Sequence, residues 1–260
     1  MFNLDPPEFM PLVPLTAGAV QLWLLDMAAI GDTQLDAQRA LLTADEVARA
    51  RRFVRGDREH VATRILLRRA LSYYTGIDPA ALCFVISAAG KPSLALGDYR
   101  GQPLAFNLSH SGKLAILAVG LQPLLGVDIE AGERPRELLD LAERYYHPAE
   151  FAYLRQLNEA QMACEFFRLW TLKEAFFKAL GGGIVMGLER ACFTLKPEST
   201  DVAVSFAPEL NQTSAAWQFV QTRVAGSYEC ALAVSVNNEQ AGHAQPLRLH
   251  WLNANELLFS

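Results

Sequence analysis

Residues 106–130 read FNLSHSGKLAILAVGLQPLLGVDIE, and the punctuation of this stretch decides the fold class. Three short apolar runs, Leu104–Leu108, Leu114–Val119 and Leu125–Glu130, are separated by a polar turn around Ser109–Gly112 and by the Gln122-Pro123 break. Short apolar runs bounded by turn residues predict strands. Working outward, a further strand is expected at Leu82–Ser87 and a first one at Val20–Leu25, after a start punctuated by Pro6, Pro7, Pro11 and Pro14. Between them Thr43, with Glu46 three residues on, makes a capping box. Val47, Phe53, Val61, Ile65, Leu66 and Leu71 then follow helical spacing to Tyr74, in two pieces split near Gly56 and stopped by Gly76. Downstream the order repeats. Helical stretches at 135–157 and Ala160–Leu180 end at Gly181-Gly182-Gly183, and strands are expected at Ala191–Leu195, Val202–Phe206, Trp217–Val224 and Tyr228–Val236. Helices then strands, twice over, predict an α+β protein of two pseudo-symmetric halves, 1–124 and 125–260, each a helix on a small, mostly antiparallel sheet.

The chain of 260 residues carries 23 Lys and Arg against 28 Asp and Glu, a net charge of −5, with 51% hydrophobic residues. That composition supports a buried core and argues against disorder. An acidic chain is a poor coat for nucleic acid or an anionic membrane, so neither is an expected partner. The charge is unevenly spread, however. Residues 49–69 hold eight arginines (49, 51, 52, 55, 58, 64, 68 and 69) against Asp57 and Glu59, so this segment is +6 and the remainder −11. Such a stripe can hold a small anion. Cys83, Cys164, Cys192 and Cys230 are too dispersed for a zinc motif or a disulfide framework. The first basic residue is Arg39 and no apolar run reaches the about 20 residues of a spanning helix, so a cytoplasmic protein is expected.

Four segments carry side chains suited to chemistry. Gly90-Lys91-Pro92 holds a lysine in a turn, and by itself it is an ordinary solvated one. Ser109-His110-Ser111-Gly112 gathers hydroxyls, an imidazole and backbone N–H groups suited to phosphate oxygens, and equally suited to a plain hairpin with local polar bonds. In Gly126-Val127-Asp128-Ile129-Glu130 the two acids share one strand face. Two like charges there call for a hard cation, or else for a strand end that opens into solvent. In Trp170-Thr171-Leu172-Lys173-Glu174-Ala175-Phe176-Phe177-Lys178, Glu174 and Lys178 are i,i+4 neighbours. Alone they are a surface pair worth about 0.3–0.5 kcal/mol. With the other segments they become a third carboxylate and a phosphate clamp. The sequence has no Walker loop, no dinucleotide glycine motif and no G-x-S-x-G elbow, which argues against a nucleotide fold of those kinds or a Ser109-His110-Asp128 hydrolase. The residues alone point to a Mg²⁺-assisted site for a phosphorylated ligand.

The segments FNLSHSG, GVDIE and LWTLKEAFFKALGGG, in that order and with the upstream GKP, resemble the 4′-phosphopantetheinyl transferases of the larger, Sfp-like type. The resemblance runs from the Arg49 region to Gly183. It implies two α/β halves with coenzyme A in the cleft between them, and a monomer. It implies Mg²⁺, with Mn²⁺ as a substitute, on Asp128, Glu130 and Glu174, Lys178 on the phosphates, and Lys91, Ser109 and His110 at the nucleotide phosphates. Arg51-Arg52-Phe53 matches the family's basic segment, with Arg49 and Arg52 as the candidates for the 3′-phosphate and an acid, Glu46, where a base is usual. The implied reaction, of the holo-[acyl-carrier-protein] synthase type, moves the phosphopantetheine arm to a serine of an apo acyl or peptidyl carrier protein and releases adenosine 3′,5′-bisphosphate. Asp128, Glu174 and Lys178 are the implied catalytic groups. A docking face for the carrier is sought in the aromatics Tyr145, Tyr146, Phe151 and Tyr153. A binding module for CoA and a Mg²⁺-dependent pyrophosphate hydrolase are the competing functions.

Overall fold

The computed structural model describes residues 8–52, 56–132, 137–196, 202–236 and 247–259. Strand β1 (Ala19–Asp26) is followed by helices α1 (Asp32–Ala37), α2 (Ala44–Ala50) and α3 (Asp57–Thr75). A hairpin of β2 (Phe84–Ile86) and β3 (Pro92–Leu94) precedes β4 (Ala105–Ser111), β5 (Leu114–Gly120) and β6 (Leu125–Ala131). Helices α4 (Leu138–Tyr145), α5 (Pro148–Leu154) and α6 (Glu159–Leu180) come next. The chain ends with β7 (Ala191–Leu195), β8 (Val202–Phe206), β9 (Trp217–Val224), β10 (Tyr228–Ser235), β11 (Arg248–Asn253) and α7 (Ala254–Phe259).

Two sheets stand face to face between two long helices. One has strand order β11-β1-β5-β4, the other β6-β10-β9, and β2-β3 and β7-β8 are separate ribbons. Strand alternation sorts the core into layers. Trp23, Leu25, Ala115, Leu117 and Val119 face α3 and pack on Ile65, Leu66 and Leu71. Their neighbours Leu22, Leu24, Ile116 and Ala118 face the second sheet and meet Leu125, Val127, Ile129, Leu232 and Val234. On the far side Ala231 and Ala233 support Leu172, Phe176 and other residues of α6. The order is therefore helix, sheet, sheet, helix.

The helix ends follow their local chemistry. Thr43 Oγ1 accepts from Glu46 N at 3.3 Å and Glu46 Oε2 accepts from Thr43 N at 2.9 Å, the reciprocal box expected from sequence. Gly56, at φ 92°, separates α2 from α3, and Gly76 (φ 68°) and Gly181 (φ 90°) terminate α3 and α6 in the left-handed region open to glycine.

Three expectations are corrected. The polar stretch from Ser109 to Ser111 is not a turn but the end of β4, paired with β5 through Ser111↔Leu114. The helical stretch expected at 135–157 is two helices, because the chain breaks at Tyr146-His147 ahead of Pro148, which opens α5; residues 133–136 lie outside the described residues. The boundary at 124/125 falls between β5 and β6, but β11 leaves the second half and pairs in parallel with β1, Leu22↔Trp251 and Trp23↔Leu252. The first half's sheet thus contains the end of the chain and one parallel pair in an otherwise antiparallel set. Phe53 and Arg55 lie outside the described residues.

Candidate active site

The seam between the sheets is closed by side chains instead of a backbone ladder. Asn107, Ser109 and Ser111 alternate with Phe106 and Leu108 on β4, so the polar three face β6 while the apolar two join the α3 core. Asn107 Oδ1 accepts from Val127 N at 2.9 Å. Ser109 Oγ donates to Asp128 Oδ1 at 2.7 Å, and Ser111 Oγ donates to Glu130 Oε2 at 2.8 Å while accepting from Ala131 N at 3.1 Å. In this comb Asn107 and Ser109 each hold one residue of the acidic strand, and Ser111 holds two.

Helix α6 lies against the same strand. A Cβ at Gly126 would sit 2.5 Å from Ala179 N and would also clash with the Ala175 carbonyl, so only glycine permits this approach. The closeness brings the Lys178 ammonium within 2.5 Å of Asp128 Oδ1 and 3.0 Å of Ser109 Oγ. Burial opposes that charge, but the Asp128 carboxylate and its hydrogen bond, with Glu174 and Glu130, hold Lys178 above the ordinary lysine value. Glu174, only 8% exposed, has its carboxyl pushed up to about 7 by burial and then by Asp128 and Glu130, against the pull of Lys178. Burial and the Asp128 charge likewise raise Glu130.

The donor set suits a hard cation. Asp128 Oδ2 and Glu174 Oε1 are buried with no hydrogen-bond partner, a costly condition for carboxylate oxygens. Among the described residues no three His, Cys, Asp or Glu side chains are gathered closely enough to hold a metal ion unaided. Mg²⁺ does not require that, because it takes one or two carboxylates together with substrate phosphates and water. The all-oxygen set fits such a shared ion.

Beside this acidic centre lies a basic one. His110, at the exposed end of β4, is held below the ordinary histidine value by partial burial and by the charges of Lys178 and Arg64. His60 is lowered by burial and by Arg64 and Arg49. Arg64 stands among them on α3, with its Nε buried and without a hydrogen-bond partner. Arg64 is a residue that sequence reasoning counted within the arginine stripe and did not single out. The signal was its place one turn after His60 on a helix whose face was not yet known. Arg49 reaches the cluster from α2. Arg52 lies exposed in the turn that follows and adds no contact to it among the described residues. Arg68 is not free for an anion, since it is buried on Glu46 Oε2 at 2.9 Å and on the carbonyls of Pro79 and Leu82. The acid at position 46 is thereby explained, as it caps α2 and neutralises Arg68.

The structure brings Asp128, Glu130, Glu174, Lys178 and Ser109 together and sets His110 and Arg49 beside them. Lys91 has other partners. Its ammonium donates to Ala179 O at 2.8 Å and Leu125 O at 3.1 Å, and burial pushes it down to about 8. Expected at phosphate oxygens, it here ties the β2-β3 ribbon to β6 and α6. The aromatics Tyr145, Phe151 and Tyr153 pack against the α6 core, and Tyr146 is fully within it, 3% exposed. No described helix is long and apolar enough to cross a membrane.

Residues 124–233 match the sequence model of the 4′-phosphopantetheinyl transferase superfamily, and residues 31–122 match that of the 4′-phosphopantetheinyl transferase N-terminal region. The chain is 36% identical over 229 residues to 4′-phosphopantetheinyl transferase HetI of Nostoc sp. (strain PCC 7120), covering 87% of this chain and 91% of that protein. It is 32% identical over 166 residues to a 4′-phosphopantetheinyl transferase of Bacillus subtilis, covering 63% and 70%. A solved holo-(acyl-carrier-protein) synthase from Bacillus anthracis, in complex with CoA, aligns with a TM-score of 0.36 at 17% identity, over 44% of this chain and 96% of that one. With the acidic strand, the Lys178 helix and the basic cluster joined at one seam, and with matches over both halves, the chain belongs to the 4′-phosphopantetheinyl transferase superfamily.

Proposed function

We propose that this chain transfers the 4′-phosphopantetheine arm of coenzyme A to a serine of an apo acyl or peptidyl carrier protein, with Mg²⁺, releasing adenosine 3′,5′-bisphosphate. The observation that carries the reading is the pair of buried, unpartnered oxygens, Asp128 Oδ2 and Glu174 Oε1, beside the Lys178 ammonium. Asp128, Glu130 and Glu174 are the residues that would hold the metal. The chemistry Mg²⁺ supplies when bound is charge neutralisation on the pyrophosphate oxygens.

The rest falls to the protein. Arg49, His60, Arg64 and His110 bind the 3′-phosphate of the adenosine, which helps to fix the pyrophosphate over β6. Arg64 replaces Arg52 in the expected set, because its Nε is buried beside His60 and His110 without a hydrogen-bond partner. Lys178 neutralises charge that develops on the pyrophosphate as its bridging bond lengthens. The carrier's serine oxygen forms a bond to the pantetheine-side phosphorus while the anhydride bond to the adenosine-side phosphate breaks. Glu174, whose carboxyl lies near 7 without metal, accepts the serine proton at the carboxylate oxygen that the metal leaves open. Ser109 keeps Asp128 aligned, and Lys91 holds the C-terminal turn of α6 against β6. The two halves, divided near residue 124, contribute the basic and acidic sides respectively.

The test is intact-mass spectrometry of apo carriers of the acyl, peptidyl and aryl kinds, incubated with the protein, CoA and Mg²⁺. Addition of one phosphopantetheine mass to a carrier is the expected result. No addition to any of them overturns the reading.

A further inference from the structure

Helix α6 carries a second charged side chain that faces away from the acidic strand. Lys173 is fully buried, at 0% exposure, and its partner Glu150 of α5 is 1% exposed, with Nζ and Oε2 2.7 Å apart. Lys173 Nζ also donates to Leu188 O at 3.0 Å and Ala191 O at 2.5 Å. Glu150 is equally committed. It accepts from Phe193 N at 2.7 Å and from His147 N at 2.9 Å. One ammonium and one carboxylate therefore tie α6 to α5, to the start of β7 and to the turn before it.

A fully buried ion pair is costly to desolvate, and an apolar pair of similar volume is often as stable. What such a pair adds is geometric definition. The rest of this face is aromatic, with Phe166 stacked between Tyr146 and Trp170 at centroid distances of 5.1 and 5.8 Å. Apolar packing of that kind tolerates rearrangement. A roll of α6 by about 20° would move a side-chain tip near 5 Å from the axis by about 2 Å. Glu174 follows Lys173 directly on the helix, so any roll moves it relative to Asp128.

We infer that Glu150 and Lys173 are positioning residues, a buried strut that fixes the roll of α6 and so aims Glu174 at the acidic strand. The inference rests on the assignment of Glu174 made above, and it gives the motif lysine a role apart from any phosphate.

The test uses the full chain carrying Glu150→Gln and Lys173→Met together, which removes both charges and keeps one amide acceptor. The expected result is a folded protein whose melting temperature stays near the parent's, whose KM for CoA changes less than about threefold, and whose kcat falls about 100-fold, the cost of a misplacement of roughly 1 Å. Calorimetry supplies a readout apart from turnover. Mn²⁺ binding in the presence of CoA should weaken about tenfold, while CoA binding without metal is unchanged. Parent-like kcat and Mn²⁺ affinity in the double variant overturn the strut. If the double variant does not fold, Glu150→Gln alone, measured below its melting temperature, is held to the same two outcomes. A parent that binds Mn²⁺ with CoA but modifies no carrier removes the transferase reading and leaves the strut to be decided by calorimetry.

Discussion

Glu174 combines burial, an unpaired oxygen and two acidic neighbours, and these conditions make its protonation visible in stability. Its folded value of about 7 lies above the ordinary 4.5, so its neutral form stabilises the fold below pH 4.5 and that contribution is lost as pH rises through 7. A shift of this size corresponds to at most about 3 kcal/mol. In metal-free buffer the parent's melting temperature should therefore fall between pH 4.5 and 7 relative to that of Glu174→Gln and level off above, and added Mg²⁺ should reverse part of the fall. The same substitution should lower transfer at least about 100-fold, measured by carrier mass shift. Arg64 makes a complementary prediction. A hydrogen bond to a charged group is worth about 1.5–3 kcal/mol, so Arg64→Ala should raise KM for CoA about 10- to 100-fold. The KM for 3′-dephospho-CoA should barely change. Asp128, Glu130, Glu174 and Lys178 were legible in the sequence because their spacings, two on a strand and four on a helix, fix which side chains share a face. Arg64 was not, because eight arginines along a helical segment give no hint of which one faces His60 and His110 before the packing is known.

At the scale of elements, the glycine of GVDIE decides how closely helix and strand approach. Gly126→Ala should push α6 off β6 and cost about 1–3 kcal/mol in denaturant unfolding, since the obstacles are backbone atoms that cannot swing aside. Transfer should fall along with it, because Lys178 would recede from Asp128. Helices α2, α3 and α6 were readable because their ends carry local instructions: the Thr43–Glu46 box at the start of α2, Gly56 ahead of α3, and Gly76 and Gly181 at the C-termini of α3 and α6. The polar end of β4 was misread for an equally local reason. Asn, Ser and His favour turns by propensity, and here that preference is overridden by ladder pairing with β5 and by four bonds across to β6.

On the scale of the whole molecule, the last strand and helix complete the sheet that the first strand begins. Trp251, Leu252, Leu258 and Phe259 are all at most 9% exposed. Burying four such side chains contributes roughly 6–12 kcal/mol, comparable with the entire stability of an ordinary domain. Removing residues 247–260 should therefore abolish cooperative unfolding and near-UV circular dichroism, and leave the β1 edge free to aggregate. The sequence by itself determined the α+β class, the helix ends and the residue types of the acidic centre, because caps, turn residues and side-chain periodicity act over a few positions. Only the tertiary structure decided that β11 returns to β1, that the Asn107-Ser109-Ser111 comb closes the seam, that Lys91 and Lys173 serve as ties and that Arg64 is the arginine set between His60 and His110. Each of these depends on partners beyond the reach of a single turn of chain, from 15 residues away for Lys173 and Leu188 to the opposite end of the sequence for β1 and β11, whose nearness is set by burial of the shared core and by no local preference of the chain.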